Sequence, residues 1–531
     1  MGNSVADLLT AAATDQPTGL ALVEAEGGRR LTWSALDAEV DRVAGGFGAA
    51  GMVAGYRVMI VLGNRLEFVS SYLGGLRAQL VTVPVNPRST PGELARMMAD
   101  SGARMVVTDR AGAGAVRDAL ELLAQGRDGS DVDHAPVGDP PRVVVVEGGA
   151  EPGELSWHEL VSGSDRPPPP LQDPESLAAL LYTSGTSGRP RAAMLTHRAL
   201  LANIEQVAAV RPPMLAADDV VLGVLPLFHV YGLNAVLGGT LRQQARLVLA
   251  ETFEPQGTLD LIEDEAISVL PVAPPVFAHW LPVEDLAERL GPVRIVLSGS
   301  APLPPEVAES FTGRTGIPVH QGYGLTEAAP VVTSTLCSGE PDARSVGAVL
   351  PGIEVRLVDE DGHPTEGADP GEIRVRGSNL FSGYWPDGAA GPDPEGWWST
   401  GDVGFLDAVG DLYLLDRRKE LVIVSGFNVY PVEVEEVIGE VPGVSATAVI
   451  GVADDATGEA VVAYVVPVEP HPEGEAALRD AVLAHCADRL ARFKRPTVLH
   501  LVDELPYTVT GKVQKGRLRA VERRRELGLL E

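Results

Sequence analysis

The chain has 531 residues, 45% apolar and 22% charged, a composition that builds large cores and excludes wholesale disorder; at roughly 100–200 residues per domain it predicts two to four domains or subdomains. Its 42 basic and 73 acidic residues leave a net charge of −31, which repels nucleic-acid phosphates and anionic membranes and argues against either as a primary partner. Two distant cysteines, Cys337 and Cys486, exclude a disulfide framework and a cysteine zinc site and fit a reducing cytosol. The start, Met1-Gly2-Asn3-Ser4-Val5-Ala6, carries Ala6 where a myristoylation signal needs Ser or Thr. No basic patch leads into an apolar run, and no apolar stretch approaches the roughly 18 residues of a membrane span. The expectation is a soluble, cytoplasmic protein with no stable membrane insertion.

The first 160 residues alternate helix and strand signals. Thr32 can cap a helix with the apolar face Leu36, Val40, Val43 and Phe47; a strand at 57–62 follows. Thr90-Pro91-Gly92-Glu93 reads as a capping box with proline in the first turn, and its helix should end near Gly102, before a strand at 105–107. This rhythm predicts a parallel sheet covered on both faces. Residues 163–166 run into Pro167, Pro168, Pro169 and Pro170, a stiff extended linker. An apolar strand at 177–181 feeds a Gly/Ser/Thr loop, and the alternation then resumes to about residue 415, with strands near 220–225, 245–249 and 294–297. After residue 416 the texture changes. A helix at 432–438, Val-rich strands at 446–452 and 460–466, a helix at 475–490 and a strand at 497–502 predict a compact α+β unit.

Five stretches carry chemistry. Tyr182-Thr183-Ser184-Gly185-Thr186-Ser187-Gly188-Arg189-Pro190-Arg191 packs hydroxyls, glycines and two cations behind a strand. Glycines let backbone N–H groups approach an anion, hydroxyls donate to phosphate oxygens, and arginine adds charge-assisted bonds, so the loop can cradle a triphosphate; an ordinary Ser/Gly loop is the alternative. It is not the common P-loop, because no Gly-Lys-Ser/Thr closes it. In Gly322-Tyr323-Gly324-Leu325-Thr326-Glu327, the tyrosine could stack on a purine, the threonine bond a phosphate and the glutamate hold Mg²⁺. Alone, this is equally a strand-to-helix turn with a surface glutamate. Asp402, in Ser399-Thr400-Gly401-Asp402, suits two vicinal ribose hydroxyls or a simple Asx turn. Asp416-Arg417-Arg418-Lys419-Glu420 stands at the change of texture, just ahead of Val424-Ser425-Gly426. Lys512 follows a glycine in a Thr-rich loop from which it could swing toward an anion, or remain a mobile surface lysine.

In this order and with these spacings, the set resembles the AMP-forming acyl-CoA synthetases of the adenylate-forming superfamily, with fatty-acyl and coumarate-type CoA ligases as the nearest texture. The resemblance runs from about Thr32 to Lys515 and includes Pro226-Leu227-Phe228-His229, Ser298-Gly299-Ser300-Ala301-Pro302-Leu303 and Gly371-Glu372-Ile373-Arg374-Val375-Arg376-Gly377. It implies an α/β fold with a large N-terminal domain of layered α/β subdomains (1–416), their sheets mostly parallel, and a small, mobile α+β C-terminal domain (417–531). It implies that Thr183, Ser184, Gly185, Thr186, Ser187, Gly188 and Arg191 hold the β,γ-phosphates. Gly299, Ser300 and Ala301 would lie on one adenine face and Tyr323, with Gly324, on the other. Thr326 would bind the α-phosphate, Glu327 the metal, and Asp402 with Arg417 the ribose. Lys512 would be the catalytic lysine of adenylation, Lys419 the hinge and Gly426 part of the CoA tunnel. His229 would stand beside the acyl entrance, with Val230, Tyr231, Asn234 and Ala328 in the acyl pocket.

The family loop usually ends Thr-Gly-x-Pro-Lys-Gly; here it ends Ser187-Gly188-Arg189-Pro190-Arg191-Ala192. Serine keeps the hydroxyl, arginine keeps the charge in another shape, and the Ala192 methyl could restrict the loop. The implied reaction uses ATP, Mg²⁺ and coenzyme A: a carboxylic acid, in the first place a medium- or long-chain fatty acid, becomes an acyl adenylate with release of pyrophosphate and then an acyl-CoA with release of AMP. No cation stands among the pocket residues for a second carboxylate, which points to a mono-acid. The alternatives are an enzyme that loads a separate acyl carrier protein, with Arg517, Arg519, Arg523, Arg524 and Arg525 as a docking surface, and a non-catalytic nucleotide-binding module. A homodimer stays open.

Overall fold

Apolar runs of four to seven residues, bounded by caps and turns, become strands buried on both faces. The computed structural model describes residues 2–126, 140–162, 169–183, 191–359, 361–365, 369–417, 420–424, 427–454, 457–468, 474–508 and 511–526. By its contacts the chain divides into two compact units, Met1–Glu354 with Arg376–Trp398, and Val355–Val375 with Ser399–Glu531.

Two seven-stranded sheets dominate the first unit. One runs Leu155–Ser156, Arg142–Val145, Met105–Thr108, Arg57–Val61, Val81–Pro84, Leu177–Thr183 and Arg191–Thr196. The other runs Val319–Gln321, Ile295–Ser298, Val269–Val272, Val220–Gly223, Arg246–Leu249, Leu20–Glu24 and Arg30–Thr32. Each sheet is parallel except for its last pair, which is antiparallel. Helices cover the faces and start where the caps predict. The Thr32 hydroxyl accepts from Ala35 N to open Trp33–Ala49, whose Leu36, Val40, Val43 and Phe47 are all buried. Thr90 and Glu93 close a reciprocal capping box on Pro91–Ser101, and Gly102 ends that helix at φ 60°, a left-handed conformation that favours glycine. Trp280, Phe277 and Phe311 fill the core under the second sheet, the two phenylalanines edge to face at 5.1 Å. Burying each such side chain contributes about 1.5–3 kcal/mol.

The parallel alternation stops at Val319–Gln321 rather than near residue 415. Beyond it lie a short antiparallel pair, Thr333–Ser334 with Ala348–Val349, and a four-stranded sheet of Ile353–Val358, Gly371–Gly377, Trp397–Leu406 and Leu412–Arg417, its last pair antiparallel. The reason is written in the strands. Gly371–Gly377 alternates buried and half-exposed residues, whereas the parallel strands at 81–84 and 269–272 are buried throughout. In the second unit, Phe427–Val429, Val422–Val424, Gly458–Pro467 and Val444–Asp454 form a sheet with Val498–Leu501 added parallel to Gly458–Pro467. Helices Pro431–Gly439 and Glu475–Arg489 share its core. No helix among the described residues is long and apolar enough to cross a membrane.

Candidate active site

The strand Ile295–Ser298 ends in a turn at the carboxyl edge of its parallel sheet, where open α/β sheets bind ligands. Ser300 in that turn sits at φ 74°, a left-handed conformation that costs a non-glycine residue about 1–3 kcal/mol and concentrates at functional sites. A Cβ on Gly299 would lie 2.9 Å from the ring of Tyr231, so any larger residue there would have to push that ring aside. The Tyr231 hydroxyl donates to Leu297 O at 3.3 Å, and burial pushes its phenol well above the ordinary value. Tyr231, expected on the acyl side, thus abuts the turn expected to carry adenine. One residue earlier, Ser298 Oγ is buried with no hydrogen-bond partner among the described residues.

The second motif folds into a tight ribbon. Gly322 and Gly324 pass so close to the returning chain that a Cβ would lie 2.6 Å from Thr333 O and 2.4 Å from Pro330 O. Tyr323 N donates to Thr333 Oγ1 at 3.1 Å, and Val332 N and Thr333 N donate to Tyr323 O at 2.9 and 3.1 Å. Tyr323 is consequently buried and fixed. Thr326–Ala328 makes one 3₁₀ turn that ends on Ala329 in the left-handed region, φ 62°. Glu327 is no surface carboxylate: it is 8% exposed, and its Oε1 accepts from the Tyr384 hydroxyl at 2.6 Å.

Of the residues expected on the acyl side, Asn234 hydrogen-bonds this ribbon. Ala328 and Val230 are buried. Asn234 is also buried, in the π-helix Tyr231–Gly238, and its Nδ2 donates to Ala329 O at 2.6 Å and Leu200 O at 3.1 Å. Its side chain therefore braces the turn that presents Glu327. His229 is half-buried, and its Nδ1 accepts from Tyr231 N at 3.4 Å. Asn64 clasps the chain leading to it: Nδ2 donates to Gly223 O and Leu225 O, both at 2.9 Å, and Oδ1 accepts from Leu227 N at 2.9 Å.

Thr183 and Arg191, at the base of the loop expected to hold the phosphates, are a register pair, with Thr183 Oγ1 donating to Arg191 O at 3.4 Å. Ser184, Gly185, Thr186, Ser187 and Gly188 lie outside the described residues. The Arg191 guanidinium carbon stands 3.7 Å from the ring centroid of Tyr384. Ala192 points into the core beside Leu180 and Met194 and is 1% exposed. Residues 382–385 hydrogen-bond along this strand: Ser382 N to Met194 O at 3.0 Å, Met194 N to Gly383 O at 3.0 Å, and Trp385 N to Ala192 O at 2.9 Å.

In the second unit, Asp402 and Arg417 are register partners across antiparallel strands. Gly401, at φ 77°, lies within the strand Trp397–Leu406 rather than in the turn expected before Asp402, and Asp402 N donates to Thr400 Oγ1 at 3.1 Å. Lys512 is exposed on a tight turn, its N donating to Thr508 Oγ1 at 3.0 Å and its O accepting from Thr508 N at 2.7 Å, with Gly511 at φ 80°. Lys419, Gly426 and the side chain of Arg417 lie outside the described part of the structure. Tyr384 and Asn64 escaped sequence reasoning. The available signals were an aromatic pair between Gly383 and Pro386, and a lone amide at the end of the apolar strand 57–62.

A mostly parallel α/β unit followed in the chain by a smaller α+β unit matches the adenylate-forming enzyme fold. The AMP-binding enzyme family matches residues 9–385, and the AMP-binding enzyme C-terminal domain matches residues 433–512. The chain belongs to this family, as an enzyme of the AMP-forming acyl-CoA synthetase type. It is 33% identical over 524 residues to the 4-coumarate–CoA ligase-like 9 of Oryza sativa subsp. japonica, covering 94% of this chain and 89% of that one. It is 32% identical to the long-chain-fatty-acid–CoA ligase of Bacillus subtilis (strain 168), covering 92% and 90%. Its structure resembles ATP-bound MatB from Rhodopseudomonas palustris with a TM-score of 0.87 and 32% identity, over 98% of this chain and 99% of that one.

Proposed function

We propose that the protein activates an apolar monocarboxylic acid, in the first place a medium- or long-chain fatty acid, with ATP and transfers the acyl group to coenzyme A. The observation that carries the substrate class is the chemistry around the Glu327 turn. Residues 228–234 and 328–332 are Phe, His, Val, Tyr, Gly, Leu, Asn and Ala, Ala, Pro, Val, Val, with no Lys or Arg to meet a second carboxylate. A coumarate-type aryl acid is the second reading, favoured by the identity to the rice ligase.

In the first step a carboxylate oxygen attacks the α-phosphorus of ATP, the bond to the bridging oxygen breaks, and pyrophosphate leaves. The turn at 299–301 and Tyr323 hold the adenine between them, Thr326 donates to the α-phosphate, and at the ribose Asp402 accepts from the hydroxyls while Arg417 donates to their oxygens. Thr183 and Arg191, with residues 184–188 between them, surround the β,γ-phosphates. Lys512 offsets the charge that gathers when an anionic acid meets a triphosphate. Glu327 fits a hard cation: its carboxylate is buried and one oxygen is already oriented by Tyr384. Mg²⁺ held there would neutralise phosphate charge.

In the second step the CoA thiol attacks the acyl carbon and AMP leaves. Lys512 must withdraw to admit the thiol, so a rotation about Lys419, between domains 1–416 and 417–531, brings Gly426 to line the thiol's path. His229 stands beside the acyl entrance, and Val230, Tyr231, Asn234 and Ala328 shape the pocket. The test is mass spectrometry of purified protein with Mg-ATP, CoA and a panel of fatty, aryl and dicarboxylic acids. Acyl-CoA with AMP, from mono-acids and not from dicarboxylates, is the expected result. Acyl-AMP without thioester would redirect the reading to a carrier protein, and a preference for dicarboxylates would sink the mono-acid assignment.

A further inference from the structure

The departure at Arg191 has a definite neighbour. Its guanidinium carbon lies over the Tyr384 ring, 3.7 Å from the centroid, and the hydroxyl of that same ring donates to Glu327 Oε1 at 2.6 Å. Three residues from distant parts of the chain thus form one line, cation to ring to carboxylate. We propose that Tyr384 is a positioning residue for the metal-binding carboxylate of Glu327, and that Arg191, stacked on the ring, sets how firmly Tyr384 holds it. The inference rests on the reading of Glu327 as the metal ligand.

The geometry supports each link. Tyr384 cannot wander. Its N donates to Ala389 O at 3.1 Å, its O accepts from Gly388 N at 2.9 Å, and Ala193 pairs with it as a β-bridge. Gly383 beside it sits at φ 88°, with Gly388 O so near that a Cβ would lie 2.1 Å away. Phe381 packs edge to face on the ring at 5.0 Å, and Phe381 N donates to Glu327 O at 2.9 Å, so the same short segment grips both the main chain and the side chain of Glu327.

A phenol hydroxyl bonded to an ionised carboxylate is a strong, directional contact. It fixes one oxygen and, through it, the plane in which the other is offered. Without it a glutamate must lose rotamer freedom each time it takes up a metal. A cation on the face of the ring withdraws electron density from the phenol and makes its O–H a better donor. Arginine does this better than lysine because a planar guanidinium stacks on an aromatic face. Arg191 is also the register partner of Thr183 at the root of the loop, which ties the phosphate side of the site to the carboxylate side.

The test compares full-length wild type with Tyr384→Phe, Arg191→Met, Arg191→Lys and Glu327→Gln. Binding of Mn²⁺ in the presence of ATP and without acid is read by electron paramagnetic resonance, alongside metal-free ATP binding and the Mg²⁺ dependence of pyrophosphate release. Tyr384→Phe should weaken Mn²⁺ binding about tenfold, the loss expected for one hydrogen bond to a charged group, while metal-free ATP binding stays as in wild type. Arg191→Met should give a smaller loss in the same direction, which Arg191→Lys partly restores. If Tyr384→Phe holds Mn²⁺ as tightly as wild type while Glu327→Gln does not, the positioning role is wrong and the metal reading stands. If Glu327→Gln is itself without effect, the reading of Glu327 falls, and this inference with it.

Discussion

Glu67→Gln isolates the ionic clasp that joins the two seven-stranded sheets. Glu24 ends a strand of one sheet, and Glu67 starts the helix Leu66–Arg77 packed on the other. Arg29 bridges them. Its guanidinium donates to Glu67 Oε1 at 2.6 Å and Oε2 at 2.9 Å, and to Glu24 Oε1 at 2.8 Å. Arg65 Nε adds a bond to Glu67 Oε2 at 2.8 Å, and Glu24 Oε1 also accepts from Leu66 N at 2.5 Å, capping the helix. Burial pushes the Glu67 carboxyl up, but the hydrogen bonds from Arg29 and Arg65 outweigh it and hold the group at about 2, against an ordinary 4.5. That difference is worth about 3 kcal/mol. Because the folded value is depressed, this stability is fully present above pH 4.5 and is lost as pH falls through 4.5 toward 2.

Neutral glutamine keeps the shape and removes the charge shared by Arg29 and Arg65; Arg65, whose side chain is 11% exposed, keeps Glu147 as its remaining carboxylate at 2.5 Å. Urea unfolding followed by circular dichroism should therefore place Glu67→Gln about 3 kcal/mol below wild type at pH 7, the low end of what breaking a buried pair costs. At pH 3 the gap should shrink to about 1.5 kcal/mol, since wild type has by then lost half of its advantage. Acyl-CoA formation at 25 °C should persist, because the clasp touches none of the residues assigned to the nucleotide. A variant within 0.5 kcal/mol of wild type, or a gap that does not depend on pH, would refute the linkage.

His197 is 1% exposed, and burial holds its imidazole down to about 4, against an ordinary 6.5. The unfolded chain therefore takes up the proton first, stability falls as pH drops from 6.5 toward 4, and His197→Gln should remove that slope in urea titrations run at pH 7 and 4.5. Ala192→Gly should lower stability by about 1 kcal/mol and leave the rate of acyl-AMP formation unchanged, because the methyl fills core; a faster enzyme would show that Ala192 restricts the phosphate loop after all. Gly324→Ala sets a Cβ 2.4 Å from a backbone oxygen that cannot yield, and adenylation should fall about a hundredfold with Tyr323 displaced, as read by pyrophosphate release.

What the sequence could show was local. Thr32, Thr90 and Glu93 announced their helices because capping is settled within four residues. The strands at 57–61, 105–108 and 295–298 were legible as short apolar runs. The motif at 322–327 was legible as chemistry, but whether Glu327 was a surface carboxylate depended on residues 381 and 384 folding back over it. The reach of the parallel alternation was overextended past residue 321, although Ile373, Arg374, Val375 and Arg376 alternate in the manner of a strand with one wet face. Tyr384 could not be assigned at all. Its place follows from hydrogen bonds between 382–385 and the strand Arg191–Thr196, a pairing of a loop with a strand nearly two hundred residues away that no local pattern encodes.

The same pairing changes how the altered loop is to be understood. Read along the chain, Arg191 and Ala192 are two departures in an anion-binding motif. In the structure they stand on a strand, opposite Thr183 and Tyr182, and adjacent strand residues face opposite ways. One therefore points into the core, where a methyl adds packing, and the other points to the face where the Tyr384 ring awaits a flat cation. Each substitution suits the surface it meets. A glycine in place of Ala192 would leave a gap in that core, and a lysine in place of Arg191 would put a compact ammonium where the ring offers a plane. The residues at the root of the loop are thus selected by the strand that carries them as much as by the phosphates beyond it, and their divergence from the family pattern is compatible with an intact site.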